Sequence, residues 1–407
     1  YEICACLVGS EMCIRDSSKD DPRVIWAESG EILADPDVTS MYPSFIVEYG
    51  VAPHHLSKEV FIGIVKWLRE TRVEAKHTGR KLEADALKIV INRIYGALND
   101  AMDYLYDPEC TYTVTINLQL LLCGLIEAFE LNNFDVLSAN TDGLLVRLPL
   151  NRQGVFKHIC NEWSVYSKLD LETEKFEKYY RSAVNDYIAV GYGFYDALQE
   201  YNRCGVWIDS KSNTYTTRQA IEDKFIKFKG YFLQDPEYNK GFVYPVVKKA
   251  LKEYFLYGVD ITEFIRNYIN TSRTAIYDYC FSQKVAGKYT TIYKTVRDGK
   301  PVYIKCQKHN RFYICKSGGG AITKAIVPDS DNIAYGDDIS GIVVEEEKSL
   351  VADQRVALFN DYEYKEDYNL NYGFYINEAY KILYGNGKTG KGERRGINNN
   401  SNNLFGW

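Results

Sequence analysis

The turn at residues 37–44, with the sequence DVTSMYPS, constrains the fold of this chain more than any other segment. Asp37 closes a short apolar run, which predicts the end of a strand. Pro43 has φ fixed near helical values and Ser40 can cap a helix, so we expect a helix to begin here. A carboxylate beside a helix N-terminus suits a metal ion and a phosphate, although an isolated aspartate before a turn is more often a cap.

Length and composition describe a globular protein of more than one domain. A chain of 407 residues, 46% hydrophobic and 26% charged, can bury a large core and suggests two or three domains. Its ten cysteines include no Cys-x-x-Cys pair, which favours a reducing compartment and argues against zinc or disulfides. No apolar run approaches the roughly 18 residues that cross a bilayer, so no membrane role is expected.

Charge is distributed unevenly along the chain. The formal net charge is −6, but residues 284–324 hold ten Lys and Arg against one acid, Asp298, while residues 329–347 are acidic. Aromatic side chains alternate with these cations. Cations can follow phosphates and aromatics can pack on sugars or bases, so this basic stripe, residues 284–324, predicts a DNA-binding surface.

Residues 61–99 predict a helical hairpin with Gly79 in the turn. Cations recur at three- and four-residue steps on one face of the first helix: Arg69, Arg72, Lys76 and Arg80. An apolar stripe on the second helix adjoins a polar face: Lys88, Asn92, Tyr95 and Asn99. Periodicity alone describes two amphipathic helices that expose their charges to water.

Residues 134–148 predict a β-hairpin, because two apolar runs flank the sequence Asn-Thr-Asp-Gly at 140–143. Asp-Gly suits a tight turn whatever the function. Residues 24–37 predict strands, residues 111–131 a core helix and residues 247–265 an amphipathic helix.

Taken together, these segments resemble the family B DNA polymerases. Residues 37–44 match the family pattern Asp-x-x-Ser-Leu/Met-Tyr-Pro-Ser, and residues 88–96 match Lys-x-x-x-Asn-x-x-Tyr-Gly. Residues 140–143 are similar to Asp-Thr-Asp-Ser, with Asn140 in place of the first aspartate and Gly143 in place of serine, a form similar to that of phage-like members.

The resemblance implies an α+β fold: a right-hand polymerase with an antiparallel-sheet palm, helical-hairpin fingers and a mixed thumb. The expected organisation is a non-native or disordered leader at 1–17, palm at 18–55, fingers at 56–105, palm again at 106–200, thumb at 201–380 and a disordered tail at 381–407. The leader resembles a translated sequencing-adapter remnant. We therefore expect the protein to extend upstream, where the family usually carries a proofreading exonuclease.

The resemblance also implies the site residues. Asp37 and Asp142 would hold two Mg²⁺ ions, for which Mn²⁺ can substitute, and Lys88 would contact the triphosphate and protonate pyrophosphate. Tyr42 would exclude a 2′-hydroxyl group. The implied nucleotide-binding residues are Ser40, Met41, Tyr42, Arg72, Lys76, Lys88, Asn92 and Tyr95. The implied DNA-binding residues are Thr141, Tyr187, Lys227, Lys229, Lys308 and Arg311.

The implied function is template-directed DNA synthesis in viral replication, in the cytoplasm of a host cell. Its partners would be primer-template DNA, deoxynucleoside triphosphates and a terminal protein or other replication proteins; priming by protein or by nucleic acid stays open. Two other functions fit the same residues. One is a catalytically inactive DNA-binding relic, supported by Asn140, and the other is a metal-dependent nuclease that uses the same two carboxylates.

Overall fold

The computed structural model describes residues 24–140, 142–183, 186–229 and 244–384. The chain forms two compact units, the first made of residues 1–184 and 188–227 and the second of residues 185–187 and 228–407. The predicted leader, Thr141 and most of the predicted tail lie outside the described residues. Helices and antiparallel strands make up both units, so the predicted α+β class is confirmed.

A seven-stranded sheet organises the first unit. Its strand order is β3-β4-β2-β5-β6-β9, and β1 pairs with β5. The strands are β1 Val24–Trp26, β2 Glu31–Val38, β3 Asp135–Asn140, β4 Gly143–Pro149, β5 Leu171–Ala183, β6 Asp186–Gly191 and β9 Ile226–Lys229. A separate two-stranded sheet consists of β7 Trp207–Ile208 and β8 Thr214–Tyr215.

Seven α-helices accompany these strands in the described part of the first unit: α1 Met41–Tyr49, α2 Lys58–His77, α3 Lys81–Leu98, α4 Pro108–Leu131, α5 Gln153–Ser167, α6 Phe194–Cys204 and α7 Arg218–Phe225. A 3₁₀ turn at Leu150–Arg152 precedes α5. The predicted helical hairpin is present as α2 and α3, and Gly79 between them has φ 74°, a backbone angle that favours glycine.

Helix α4 carries the predicted core segment. It begins at Pro108, where the Asp107 side chain accepts a hydrogen bond from the Cys110 N–H group. By length and composition α4 could span a membrane, with a mean hydropathy of 1.6, so the sequence estimate that no run was long enough is wrong. Part of its apolar surface is buried in the core of the first unit, through Leu118, Leu125 and Phe129 among others.

The start of α1 differs from the prediction. Ser40 occupies the N-cap position, but its φ is 49° and its hydroxyl makes no capping bond. The hydroxyl oxygen accepts a hydrogen bond from Arg72. Gly50, with φ 64°, ends α1 directly after Tyr49.

The second unit contains two antiparallel sheets, with strand orders β10-β13-β16 and β12-β11-β14-β15. The strands are β10 Cys280–Lys284, β11 Thr290–Arg297, β12 Lys300–Cys306, β13 His309–Cys315, β14 Ala321–Ile326, β15 Glu345–Ser349 and β16 Arg355–Leu358. Its described helices are α8 Pro245–Tyr257, α9 Ile261–Asn267, α10 Ile276–Tyr279 and α11 Tyr372–Tyr384, with 3₁₀ turns at Tyr268–Asn270 and Ser330–Asn332.

One predicted helix is divided in two, and two predicted domain boundaries fall inside helices. The predicted helix 247–265 is two helices, because Gly258 adopts φ 71° and ends α8, and Asp260 then caps α9. The predicted palm-to-thumb boundary at residue 200 lies within α6, and the predicted tail begins within α11. The predicted helix was too long because the cap residues Gly258 and Asp260, and not a change in polarity, end α8 and begin α9.

Phe129 provides a test of the core. Its ring is fully buried, stacks on Phe156 at 5.1 Å between centroids and meets Phe134 edge-on at 5.7 Å. We expect Phe129→Ala to lower the free energy of unfolding by about 3–5 kcal/mol, measured by denaturant unfolding. Leu131→Ala on the same helix is the control, because Leu131 is 77% exposed and its loss should change the free energy by less than about 0.5 kcal/mol. Equal effects would contradict this account of the core.

Candidate active site

Folding brings the two predicted metal-ligating aspartates to the same end of the sheet. Asp37 and Asp142 are 105 residues apart in sequence. Strand β2 pairs with β4 so that Asp37 lies opposite Gly143. The backbone N–H of Val38 donates a hydrogen bond to the carbonyl of Asp142 at 2.8 Å. The end of β2 and the turn between β3 and β4 are therefore held together by backbone pairing.

Negative charge accumulates around Asp37. Its side chain reaches solvent, yet the surrounding protein removes much of its water. This burial, followed by the charges of Asp142, Asp35 and Glu174, raises the pKa of Asp37 to about 7, and Lys227 opposes the shift. Carboxylates that repel one another in this way are stabilised when a cation binds between them.

Gly143 makes room for this arrangement. A Cβ atom at position 143 would lie 3.1 Å from a carboxylate oxygen of Asp35 and 3.2 Å from one of Asp37. Both distances are shorter than ordinary van der Waals contact, so a side chain here would displace one or both carboxylates. The glycine that a tight turn favours thus also leaves space at the candidate site.

Sequence inspection missed three acidic residues that adjoin Asp37. The strand register places Asp35 opposite Glu174 and Asp37 opposite Glu172. Residues two apart in a strand face the same side of a sheet, so the pairs 35/37 and 172/174 each contribute to one face. That alternation was visible in the sequence, but the pairing of the two strands was not.

The donor set suits a hard divalent cation. Carboxylate oxygens are the ligands that Mg²⁺ prefers, and Mg²⁺ usually keeps several waters and binds through one or two carboxylates. Among the described residues no group of three or more His, Cys, Asp and Glu side chains is arranged to hold a metal ion. The two predicted ligands, Asp37 and Asp142, would leave water or phosphate oxygens to complete the coordination of an ion.

Two of the predicted cations reach the end of the sheet from α2. Arg72 donates a hydrogen bond to the Ser40 hydroxyl at 2.6 Å. Lys76 forms an ion pair with Glu172, with 3.1 Å between nitrogen and oxygen. Lys88 on α3 is exposed and has no hydrogen-bond or ion-pair partner among the described residues.

A pair of stacked tyrosines joins α1 to α3. The rings of Tyr42 and Tyr95 lie 4.0 Å apart between centroids and are nearly parallel, at 13°. Burial, together with Tyr95 and Asp142, raises the pKa of Tyr42 to about 12, so its hydroxyl stays protonated at neutral pH. Helical spacing places Asn92 and Lys88 on the same side of α3 as Tyr95, and both are exposed.

Met41, a predicted nucleotide-binding residue, points into the core. Its side chain is 5% exposed and belongs to the hydrophobic cluster of the first unit. Only its backbone is available to a ligand. The sequence pattern alone could not show whether Met41 would contact a ligand through its backbone or through its side chain.

The predicted DNA-binding residues occupy different surroundings. Lys227 forms an ion pair with Glu174, which places its charge near Asp37. Lys229 lies over the ring of Tyr187, at 5.6 Å. In the second unit Lys308 is exposed, whereas Arg311 is half-buried and stacks on the Tyr277 ring at 4.9 Å.

The basic stripe is less positive in the fold than in the sequence. Strand β15 pairs with β14, which brings acidic residues from outside the stripe against it. Lys288 pairs with Glu346 and Lys294 pairs with Glu347. Lys305 is buried and donates hydrogen bonds to backbone carbonyls. The sequence count overstated the charge because it treated residues 329–347 as remote.

Comparison with known proteins shows similarity to a curated protein and to solved structures. The chain is 28% identical over 118 residues to DNA polymerase II of Escherichia coli (strain K12), a match that spans 29% of this chain and 15% of that protein. The predicted resemblance to family B DNA polymerases is confirmed.

One similar solved structure is the family B DNA polymerase from the hyperthermophilic archaeon Pyrobaculum calidifontis. It is 12% identical with a TM-score of 0.46, over 91% of this chain and 48% of that chain. No family model matches the chain.

The burial of Asp37, together with the crowding of carboxylates around it, predicts a pH-dependent gain in stability when its charge is removed. The Asp37 carboxyl holds its proton more tightly in the folded chain, where its pKa is about 7, than in the unfolded chain, where it is near 3.8. Its stabilising contribution is therefore present below pH ~4 and is lost as the pH rises through about 7.

We expect Asp37→Asn, in EDTA at pH 8, to raise Tm by about 2–4 °C, the effect of about 1 kcal/mol after allowance for solvent screening. The gain should vanish near pH 4. Asp135→Asn, at the end of the β3–β4 hairpin away from its turn, is the control and should give no pH-dependent gain. An Asp37→Asn variant that is no more stable than wild type at pH 8 would contradict the charge repulsion.

Proposed function

We propose that this chain is a DNA-directed DNA polymerase that adds deoxynucleotides to a primer 3′-hydroxyl by two-metal nucleotidyl transfer. The observation that carries the proposal is the pairing of β2 with β4, because it joins two acidic turns that match separate motifs of one polymerase family. The chain spans 15% of the curated relative that it matches, so that relative's activity supports the proposal without deciding it.

In this proposal the seven-stranded sheet is the palm, α2 and α3 are the fingers, and most of the second unit is the thumb. The sheet supplies the carboxylates and the fingers supply cations. A cluster of cations on facing helices suits a triphosphate, whose several negative charges one screened cation would hold weakly. Arg72, Lys76 and Lys88 would bind its phosphates, and Lys88 would donate a proton to the leaving pyrophosphate.

Asp37 and Asp142 would hold Mg²⁺ or Mn²⁺. The bound ions would lower the pKa of the primer hydroxyl and neutralise the triphosphate. The protein would hold its carboxylates at one end of a rigid sheet. Glycine at position 143 would leave space for them, because it has no side chain. Asn140 lowers the negative charge of the turn but leaves Asp142 in place.

The stacked tyrosines would select the nucleotide. Tyr42, fixed against Tyr95, would lie beneath the sugar and leave no room for a 2′-hydroxyl group. Asn92 would lie near the nascent base pair, on the same side of α3 as Tyr95.

Primer-template DNA would be held by the thumb and by the segment that connects the palm sheet to the thumb. Exposed cations of the basic stripe, including Lys308, would contact phosphates, as would Lys229 beside Tyr187. The Asn-Thr-Asp-Gly turn resembles that of phage-like family members, which supports a role in viral DNA replication in the host cytoplasm, with a terminal protein or other replication proteins as partners.

Primer extension with Mg²⁺ and deoxynucleoside triphosphates tests the catalytic assignment. We expect Asp142→Asn to reduce the extension rate by roughly 10² or more, because the chemistry loses part of its charge stabilisation. Asp135→Asn on the same hairpin should extend at the wild-type rate. Equal extension by both variants would remove the assignment. DNA binding without extension by wild type would identify an inactive relic, and DNA cleavage that depends on Asp142 would identify a nuclease.

Sugar selection tests the role of Tyr42. We expect Tyr42→Ala to reduce discrimination between deoxyribonucleotides and ribonucleotides by at least ~10-fold, because the ring that would exclude the 2′-hydroxyl is gone. The measurement is kcat/KM for matched pairs of the two nucleotides. Tyr49→Ala, at the exposed end of the same helix, should leave discrimination unchanged. If Tyr42→Ala selects sugars as wild type does, another residue excludes the 2′-hydroxyl.

A further inference from the structure

Tyr95, which stacks on Tyr42, also forms a hydrogen bond with Thr115, a residue to which the sequence analysis assigned no chemistry. The hydroxyl of Tyr95 lies 2.5 Å from the Oγ1 atom of Thr115 on α4. Thr115 is half-buried. Three helices, α1, α3 and α4, therefore meet through one ring stack and one hydrogen bond.

The direction of that hydrogen bond follows from the neighbouring one. A threonine hydroxyl has a single proton. Thr115 donates its proton to the backbone carbonyl of Thr111, one turn earlier in α4, at 2.8 Å. Its oxygen is then available to Tyr95 only as an acceptor, so Tyr95 is the donor.

Donation of this hydrogen bond to Thr115 constrains Tyr95 in two ways. Its proton is used within the protein, so its oxygen can offer only lone pairs to a ligand. Its ring is also held at two places: the hydroxyl group is bonded to Thr115, and one ring face stacks on Tyr42. A phenol ring without the bond to Thr115 would be free to tilt and to carry Tyr42 with it.

We propose that Thr115 is a positioning residue for nucleotide selection, acting through the Tyr95 hydroxyl to hold Tyr42 at the angle that excludes a 2′-hydroxyl group. The inference rests on the proposed polymerase function and extends it to a residue that contacts neither nucleotide nor metal. Thr115 acts on the shape of the sugar pocket and not on the chemical step.

The substitution Thr115→Val tests the inference, because valine keeps the shape of threonine and removes the acceptor. We expect KM for deoxynucleotides to rise about 3–10-fold, the range for loss of one hydrogen bond, with kcat within about 2-fold of wild type. Discrimination against ribonucleotides should fall by a similar factor. Thr115→Ser keeps the hydroxyl and should restore wild-type values.

A double-mutant cycle identifies the path of the effect. Tyr95→Phe removes the donor, so adding Thr115→Val to Tyr95→Phe should cause no further change in KM or in sugar discrimination. Additive effects would mean that Thr115 acts by another route and would overturn the inference.

Two further outcomes are decisive. If Thr115→Val lowers Tm but leaves KM and sugar discrimination unchanged, Thr115 is merely structural and the inference is overturned. If wild type itself does not extend a primer, the proposed function falls and takes this inference with it, a result distinct from an active wild type with an unaffected Thr115→Val variant.

Discussion

The backbone pairing of β2 with β4 is the constraint on which the candidate site depends. The hydrogen bond from Val38 to the Asp142 carbonyl fixes the end of one strand against the turn of another hairpin. Val38, directly after Asp37, and Leu144, two residues after Asp142, are each 2% exposed or less, so both strands are anchored in the core. The core therefore holds like charges together at the sheet end, and the pKa of Asp37 is raised first by burial and then by the repulsion of its acidic neighbours.

Much of this arrangement could be predicted from local sequence because turns and periodicity are local properties. The β3–β4 hairpin, the α2–α3 hairpin and the positions of Asp37 and Asp142 all follow from short-range patterns. The roles of Ser40 and Met41 did not, because each depends on a distant partner. Ser40 accepts a hydrogen bond from Arg72 and does not cap its own helix, and the side chain of Met41 packs in the core.

Strand pairing explains why charge counted along the sequence differs from the charge at each surface of the folded chain. Asp35 and Glu174 are 139 residues apart in sequence (174 − 35) yet lie opposite each other, so the site carries more negative charge than its two recognised aspartates suggest. In the second unit strand pairing lowers the positive charge of the basic stripe, because β15 brings Glu346 and Glu347 against it. In both cases the local field depends on strand pairing, which charge counts along the chain cannot predict.

Paired cations do not argue against an anionic ligand. The bond from Arg72 to Ser40 and the ion pair between Lys76 and Glu172 both lie at the edge of the site. The side chains of Lys76 and Glu172 are each more than half exposed, and such ion pairs contribute about 0–1 kcal/mol. A triphosphate that carries several charges could replace this partner at little cost. Under the proposed function, the same ion pair would keep Lys76 directed towards the sheet before a triphosphate binds.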